Sequence, residues 1–208
     1  WSELSARTSA SKAHSVGAPN SGRLERGVPL PEGGDGYRRR DRDTHFGTAE
    51  TVALLEYAGA QLAAAYPGTA PFFVGDISAE DGGRLRPHKS HQSGRDVDIG
   101  FLELGNHARH RFNKGADASR LDYTKSWFVI ESLLMTGRVQ YVFVNQSRLP
   151  RLMRAAASAG WSDEDVDALF LERDETPRTG VIRHTPGHTA HFHVRFKCPA
   201  GDEDCESY

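Results

Sequence analysis

The stretch His88-Lys-Ser-His-Gln-Ser-Gly-Arg-Asp-Val-Asp-Ile-Gly-Phe101 joins a histidine-bearing loop to the start of a strand. Its second half alternates polar and apolar residues from Asp96 to Phe101, which predicts a half-buried strand. Side chains two positions apart share one face of a strand, so Asp96 and Asp98 point the same way. Imidazole and carboxylate groups are ligands of divalent metals, above all zinc. This stretch therefore predicts a loop and a strand that meet at a metal site.

A second histidine cluster, His188-Thr-Ala-His-Phe-His-Val-Arg-Phe196, lies far along the chain from the first. The segment from Thr189 to Phe196 is predicted to form the last strand. The two-residue period of a strand then puts His191 and His193 on the same face, with the intervening phenylalanine on the other.

Two antiparallel strands lying side by side would bring His91, Asp98 and His193 to one point, with Gly94 supplying the turn in the loop. The three side chains form an N, O, N ligand set and leave a fourth position for water, as in catalytic rather than structural zinc sites. Either histidine pair alone is a weak signal, because such pairs occur by chance on many strands. Their combination predicts one Zn²⁺ bound by these three residues.

The composition argues against two classes of partner. The 208 residues carry a net charge of −2, so no basic face for nucleic acid is indicated. No apolar run approaches the roughly 18 residues of a membrane span. We expect an irregular segment over residues 1–45, with the charged run Arg38–Asp43 at the solvated surface. One domain is expected over residues 46–208.

The remaining patterns predict helices and strands that do not alternate regularly. Apolar residues at helical spacing predict a helix that starts near Thr48 and ends before Pro67. The other predicted elements are a strand over Phe72–Ile77, a loop over Asn106–Arg120, a helix capped by Asp122, a strand over Val139–Val144 and short helices capped by Ser147 and Ser162. This order favours an α+β fold, with a central antiparallel sheet flanked by helices and long loops around the zinc site.

The two cysteines, Cys198 and Cys205, flank a short polar turn near the end of the sequence. A disulfide between them is favoured over two free thiols, since exposed thiols in a solvated tail would be reactive. A disulfide would indicate an oxidising compartment.

Three blocks of sequence resemble a known group of enzymes. They are Gly83 to Ile99, with the core Ser90-His-x-x-Gly-x-x-x-Asp98; Arg138-Val-Gln-Tyr-x-Phe-Val-Asn145; and His191-x-His-Val-Arg-x-x-Cys-Pro-Ala200. The first and third resemble the signature of the zinc peptidases that include lysostaphin-type enzymes, D-Ala-D-Ala peptidases and hedgehog domains. All three together resemble the penicillin-insensitive murein endopeptidase family, over about Phe46 to Cys205.

The resemblance implies a periplasmic or secreted bacterial zinc enzyme that hydrolyses the D-alanyl–meso-diaminopimelate cross-link of peptidoglycan. By position it implies His91, Asp98 and His193 as zinc ligands and a disulfide between Cys198 and Cys205. It also implies that His191 lies beside the metal-bound water and that His188 is a further active-site histidine. His88 would lie near the metal, as an additional ligand or a substrate contact. The segment 102–121 does not match the family well, and the sequence gives no oligomeric state.

The residues themselves suggest further roles. There is no His-Glu-x-x-His helix in the sequence, so His191 and His188 are the candidates for proton transfer. Asp96, on the face of Asp98, is expected to orient a ligand rather than to bind the metal. Three polar side chains near the first cluster are candidates for the carboxylates of a muropeptide, and ordinary surface positions would explain them equally well. They are Arg84, Gln92 and Arg95.

Two other functions fit the same residues. A D,D-carboxypeptidase or dipeptidase that acts on muropeptide ends would have a dead-end pocket blocked by the loop 102–121, whereas an endopeptidase would have an open groove. The second of these functions is that of a zinc-containing cell-wall binding module without catalysis. The presence of both His188 and His191 argues against that module.

Overall fold

The structure is a computed structural model that describes residues 8, 11–109, 111, 112, 117–170 and 180–207. Its strands are β1 (His14–Ala18), β2 (Ser21–Glu25), β3 (Val28–Pro29), β4 (Gly33–Gly34), β5 (Tyr37–Arg39), β6 (Phe46–Gly47), β7 (Phe72–Val74), β8 (Asp96–Gly100), β9 (Val139–Val144), β10 (Ile182–His184) and β11 (His191–Phe196). The helices are α1 (Ala49–Ala65), α2 (Tyr123–Leu134), α3 (Leu149–Ser158) and α4 (Asp163–Phe170), with 3₁₀ turns at Ala118–Arg120 and Gln146–Arg148.

Seven of these strands form one mixed sheet in the order β10-β9-β11-β8-β7-β5-β4. Its middle is antiparallel, since β11 pairs antiparallel with both β8 and β9 and β7 pairs antiparallel with β8. Parallel pairing occurs further out, between β9 and β10 and between β5 and β7. The α+β class is confirmed.

The core lies between this sheet and the helices. Apolar side chains of β8 and β11, such as Val97, Ile99 and Phe192, pack in one cluster with Trp127 and Ile130 of α2. The half-buried state expected for β8 is wrong, because all five of its residues are buried. Its apolar face meets the helices, and its polar face is covered by the histidine clusters.

Three of the four predicted helix starts agree with the structure. The side chains of Thr48 and Asp122 accept hydrogen bonds from the first turns of α1 and α2, and the hydroxyl of Ser162 accepts one from Asp165 N at the start of α4. Ser147 does not cap α3. Instead the side chain of Asn145 accepts hydrogen bonds from the backbone N and the hydroxyl of Ser147, which forms the 3₁₀ turn before the helix.

The irregular segment expected over residues 1–45 contains five strands within its described part. β1 and β2 form a hairpin in the register His14↔Glu25, while β4 and β5 belong to the main sheet. The sequence of these strands carries no apolar alternation that would predict them. Pairing with distant residues holds them in place: Gly17 bridges Cys205, and Tyr37 pairs with Phe72. Residues 1–7, 9 and 10 lie outside the described residues.

The predicted disulfide between Cys198 and Cys205 is present. None of the helices described is both long and apolar enough to cross a membrane.

Candidate metal centre

Three side-chain atoms form a nearly equilateral triangle at the polar face of the sheet. Asp98 Oδ1 lies 3.4 Å from His91 Nε2 and 3.2 Å from His193 Nδ1, and the two imidazole nitrogens are 3.2 Å apart. A tetrahedral zinc ion with ligands at about 2.0–2.1 Å separates any two of them by about 3.3 Å. The triangle therefore has the dimensions of three corners of a tetrahedral site.

Asp98 Oδ1 is itself evidence that the triangle fits a cation. It is buried, and within the described part of the chain no hydrogen bond reaches it. A buried carboxylate oxygen without a partner is costly unless a cation binds it. Burial alone would raise the pKa of Asp98, but its interactions with His91 and His193 hold that pKa well below the ordinary value. The carboxylate is thus ionised and suited to a divalent ion.

Strand pairing and one strained residue position the triangle. His193 of β11 stands directly opposite Asp98 of β8 in the antiparallel register. His91 has a φ of 67°, in the left-handed region that non-glycine residues rarely adopt. Its backbone N donates to Asp96 Oδ2 at 3.0 Å, and its Nδ1 bonds the carbonyl of Ile77 at 2.8 Å. The second bond leaves Nε2 of His91 free to bind a metal.

Asp96 contacts His193 at Nε2, the ring nitrogen that is not part of the triangle. Its Oδ1 lies 2.8 Å from His193 Nε2 and also accepts a hydrogen bond of 2.8 Å from Arg195 Nε. Burial alone would lower the pKa of His193, yet Asp96 and Asp98 raise it to about 9. Metal binding through Nδ1 of His193 must therefore displace a proton. The geometry matches the orienting role expected for Asp96.

His191 and His188 lie next to the triangle. His191 Nε2 lies 3.6 Å from Asp98 Oδ1, and its ring stacks on that of Phe112 at a centroid distance of 4.5 Å. Burial lowers the pKa of His191 to about 4 despite the opposing charge of Asp98. His188 lies beside it, with ring centroids 4.7 Å apart, and its Nδ1 bonds the carbonyl of Pro186 at 3.0 Å. Burial also lowers the pKa of His188.

His88 lies next to His91 and contacts a carboxylate, Asp76, that was not predicted from the sequence. Its Nδ1 is 3.8 Å from Asp98 Oδ2, and its Nε2 is 3.1 Å from Asp76 Oδ2. Asp76 also accepts hydrogen bonds from Arg40, at 2.8 Å, and from the hydroxyl of Thr44, at 2.6 Å. Arg40 comes from the run expected to be solvated, so that expectation is wrong at this residue.

Besides the triangle, two further combinations of these residues offer three ligand atoms within 4.8 Å of one another. One is His88, His91 and Asp98, and the other is Asp98, His188 and His193. Both share Asp98, so the two histidine clusters face a single centre.

The three polar candidates near the first cluster are not equivalent. Arg95 is fully buried and donates to Ser15 Oγ, Phe196 O and Glu206 O, so it cannot reach a substrate. Gln92 is half-buried, and its amide nitrogen donates to Asn20 O at 2.9 Å. Arg84 is exposed and lines an open groove beside His88.

The segment expected to form a loop is described only in part. A bridge between Glu103 and Leu121 joins its two ends, and the ring of Phe112 stacks on that of His191. Residues 110 and 113–116 lie outside the described residues, so a pocket blocked by this loop stays a prediction.

Comparison with known sequences finds one family model and several relatives that this chain resembles. The family model described as penicillin-insensitive murein endopeptidase matches residues 15–208. A penicillin-insensitive murein endopeptidase of Haemophilus influenzae is 31% identical over 94% of this chain and 68% of its own length. Proteins of the same name from Klebsiella pneumoniae and Escherichia coli O157:H7 are 29% and 27% identical, over 99% and 93% of this chain and 74% and 70% of their own lengths.

Proposed function

Because this chain belongs to the penicillin-insensitive murein endopeptidase family, we propose that it hydrolyses the D-alanyl–meso-diaminopimelate cross-link of peptidoglycan with one zinc ion. The enzyme class is a murein endopeptidase, and peptidoglycan is its substrate. Zinc as the metal and the particular bond are the parts that we propose.

The observation that carries the proposal is the triangle of His91 Nε2, Asp98 Oδ1 and His193 Nδ1, with sides of 3.2–3.4 Å. These three residues would hold the ion, and Asp98 would supply the negative charge. When bound, zinc acts as a Lewis acid on an amide carbonyl and lowers the pKa of water. The N, O, N set suits zinc better than calcium or magnesium, which prefer oxygen ligands alone.

We assign proton transfer to His191 and His188, the two histidines next to the triangle. With a pKa of about 4, His191 is uncharged at neutral pH, so its Nε2 can accept a proton from the attacking water and pass it to the leaving amine. His188 has its Nδ1 engaged by Pro186 O, which leaves Nε2 to donate or accept at the same place. These roles argue against the binding module without catalysis.

The open groove beside His88 supports an endopeptidase over a carboxypeptidase or dipeptidase, because an endopeptidase must accept chain on both sides of the bond. The disulfide between Cys198 and Cys205 supports a periplasmic or secreted location, since disulfides persist in oxidising compartments.

Digestion of purified cross-linked muropeptide dimers tests the proposal. We expect monomers to appear, the reaction to stop with a chelator, and added Zn²⁺ to restore it. Penicillin should not inhibit, because β-lactams act by acylating a serine and no serine nucleophile is assigned here. Release of terminal D-alanine without dimer cleavage would identify a carboxypeptidase, and stoichiometric labelling by penicillin would identify serine chemistry.

A further inference from the structure

An open groove of about 670 Å³ lies next to the metal centre on the side of His88. Among the residues that line it are three cationic side chains, Arg84, Arg86 and Lys89, and no carboxylate. All three are exposed, so they can approach a ligand from solvent. The groove is therefore positive and lies within reach of a molecule bound at the metal centre.

The three cations are unpaired within the part of the chain that the structure describes. No ion pair or hydrogen bond joins their side chains to any other residue that the structure describes. Other arginines near the sheet are already paired with carboxylates: Arg40 with Asp76, Arg138 with Glu50 and Arg195 with Asp96. The charges of the groove are thus available to an anionic ligand.

The walls of the groove are held in place by hydrogen bonds. The side chain of Gln92 donates to Asn20 O at 2.9 Å, its backbone N donates to Pro19 O at 3.1 Å, and its carbonyl accepts from Gly83 N at 2.8 Å. These bonds tie the turn of the first hairpin to the first histidine cluster. The cations therefore project from a fixed frame, which reduces the entropy lost when a ligand binds.

His88 connects the groove to the site. It lines the groove, and its Nδ1 lies 3.8 Å from Asp98 Oδ2. A single molecule can thus occupy the groove and present a bond to the metal centre. This continuity favours a part of the peptide substrate over an unrelated anion.

We propose that this groove binds a free carboxylate of the peptide substrate beside the bond that is cut, a specificity that rests on the function proposed above. Diaminopimelate carries a free carboxylate on the carbon attached to the nitrogen of its cross-link, so that carboxylate is always close to the scissile amide. Guanidinium groups bind carboxylates through two parallel hydrogen bonds. Arg84 and Arg86 supply this recognition, and Lys89 adds a third charge.

The test compares two dimers that differ only in this carboxylate, which is free in one and amidated in the other. Wild-type enzyme should cut the free form with the higher kcat/KM. The triple variant Arg84→Gln, Arg86→Gln, Lys89→Gln should lose about tenfold in kcat/KM on the free form, mainly through KM, because exposed ion pairs each contribute little. Its kcat/KM on the amidated form should stay within about twofold of wild type.

Arg154→Gln is the matched control, since Arg154 is an exposed arginine on α3 outside the groove. It should leave both substrates unchanged, and the triple variant should bind as much Zn²⁺ as wild type. Equal losses on both dimers, or no loss on either, would overturn the carboxylate subsite. Stronger inhibition by inorganic phosphate than by acetate, with no preference between the dimers, would assign the groove to phosphate instead. Failure of wild type to cut either dimer would refute the proposed function itself.

Discussion

Asp96 and Asp98 share one face of β8, yet their surroundings give them different tasks. Asp96 accepts hydrogen bonds from His91 N, Arg195 and the Nε2 side of His193. Asp98 Oδ1 receives no hydrogen bond from the described residues and faces the imidazole nitrogens that could share a metal. One carboxylate is therefore placed to orient ligands, and the other is suited to be one.

Replacing each aspartate by asparagine should separate these tasks. We expect Asp98→Asn to lose most of its bound zinc, because the charged ligand is gone. Asp96→Asn should retain a site with affinity weakened about 10–100-fold, as is usual when an orienting partner is removed. Elemental analysis and competition with a chromophoric chelator measure both. Equal zinc affinity in the two variants would contradict this division.

His191→Ala should keep its zinc and lose about 10²–10⁴-fold in turnover, the usual contribution of a general acid–base group. The reason is that His191 Nε2 faces Asp98 Oδ1 at 3.6 Å but is not part of the triangle. Zinc content and the rate of dimer cleavage are the two readouts. His14→Ala, at the first hairpin, serves as the control. Loss of metal from His191→Ala would make this residue a ligand, and near-normal turnover would remove its proposed role.

Asp76 should make stability depend on acid pH. Burial alone would raise the pKa of its carboxyl, but hydrogen bonds from His88 and Thr44 and the charge of Arg40 lower it to about 2. A depressed folded-state pKa stabilises above the ordinary value near 3.8, and the contribution is lost as the pH falls towards 2.

Metal-free wild type should therefore exceed Asp76→Asn in free energy of unfolding by about 2 kcal/mol at pH 7. The gap should narrow between pH 4 and pH 2, as followed by urea denaturation. Thr44→Val removes one hydrogen bond to the same carboxylate and should show a smaller version of the effect. If the difference in free energy of unfolding between the two proteins did not change with pH, the charge of the Asp76 carboxylate would contribute nothing to stability.

Part of this site could be predicted from the sequence because the spacing within each histidine cluster is local. The two-residue period on β8 and β11 predicts which side chains share a face, whereas the pairing of the two strands was inferred from the metal-binding chemistry of both clusters. Asp76, Arg40 and Phe112 could not be foreseen, because they come from segments far away in the chain that carry no pattern. The prediction that Arg95 binds substrate was wrong, because its position next to the site does not determine where its side chain points. The side chain points into the interior, where backbone carbonyls accept its hydrogen bonds.

At the scale of elements, helices and central strands were predictable and the outer strands were not. α1 carries apolar residues at helical spacing between a cap and a proline, and β9 is a run of strand-forming residues, so their local sequence is sufficient. β1, β4 and β5 are polar or rich in glycine, and their pairing depends on partners such as Phe72 and Cys205. The local sequence of a strand does not indicate which distant residues it will pair with.

Helix α2 offers a test of capping. Asp122 accepts a hydrogen bond from Lys125 N, so Asp122→Ala should lower the free energy of unfolding by about 1 kcal/mol. Ser147→Ala is the control, because Ser147 lies before α3 without capping it. Chemical denaturation of both variants makes the comparison. A loss in Ser147→Ala as large as that in Asp122→Ala would contradict the assignment of the caps.

At the scale of the whole molecule, the two ends of the described chain are joined to each other. Gly17 N donates to Asp204 O, Glu206 N donates to Gly17 O, and Arg95, the residue before β8, donates to Glu206 O. His14 and Ser15 N both bond Asp202. The disulfide between Cys198 and Cys205 closes the loop that makes these contacts.

Reduction of this disulfide should lower the free energy of unfolding by about 2–3 kcal/mol, the entropy expected for so short a loop. The double variant Cys198→Ser, Cys205→Ser should match the reduced protein and be insensitive to reductant. Thiol titration of the denatured, unreduced protein should find no free cysteine. Two titratable thiols would refute the bond and weaken the case for a periplasmic location.

The position of β11 in the sheet has a consequence for biosynthesis. This strand lies between β8 and β9, both of which leave the ribosome before it. Until β11 is made, the two halves of the sheet cannot join, and Asp98 has no His193 opposite it. A chain that has been made only as far as β9 therefore carries the first histidine cluster but lacks the complete triangle of candidate ligands.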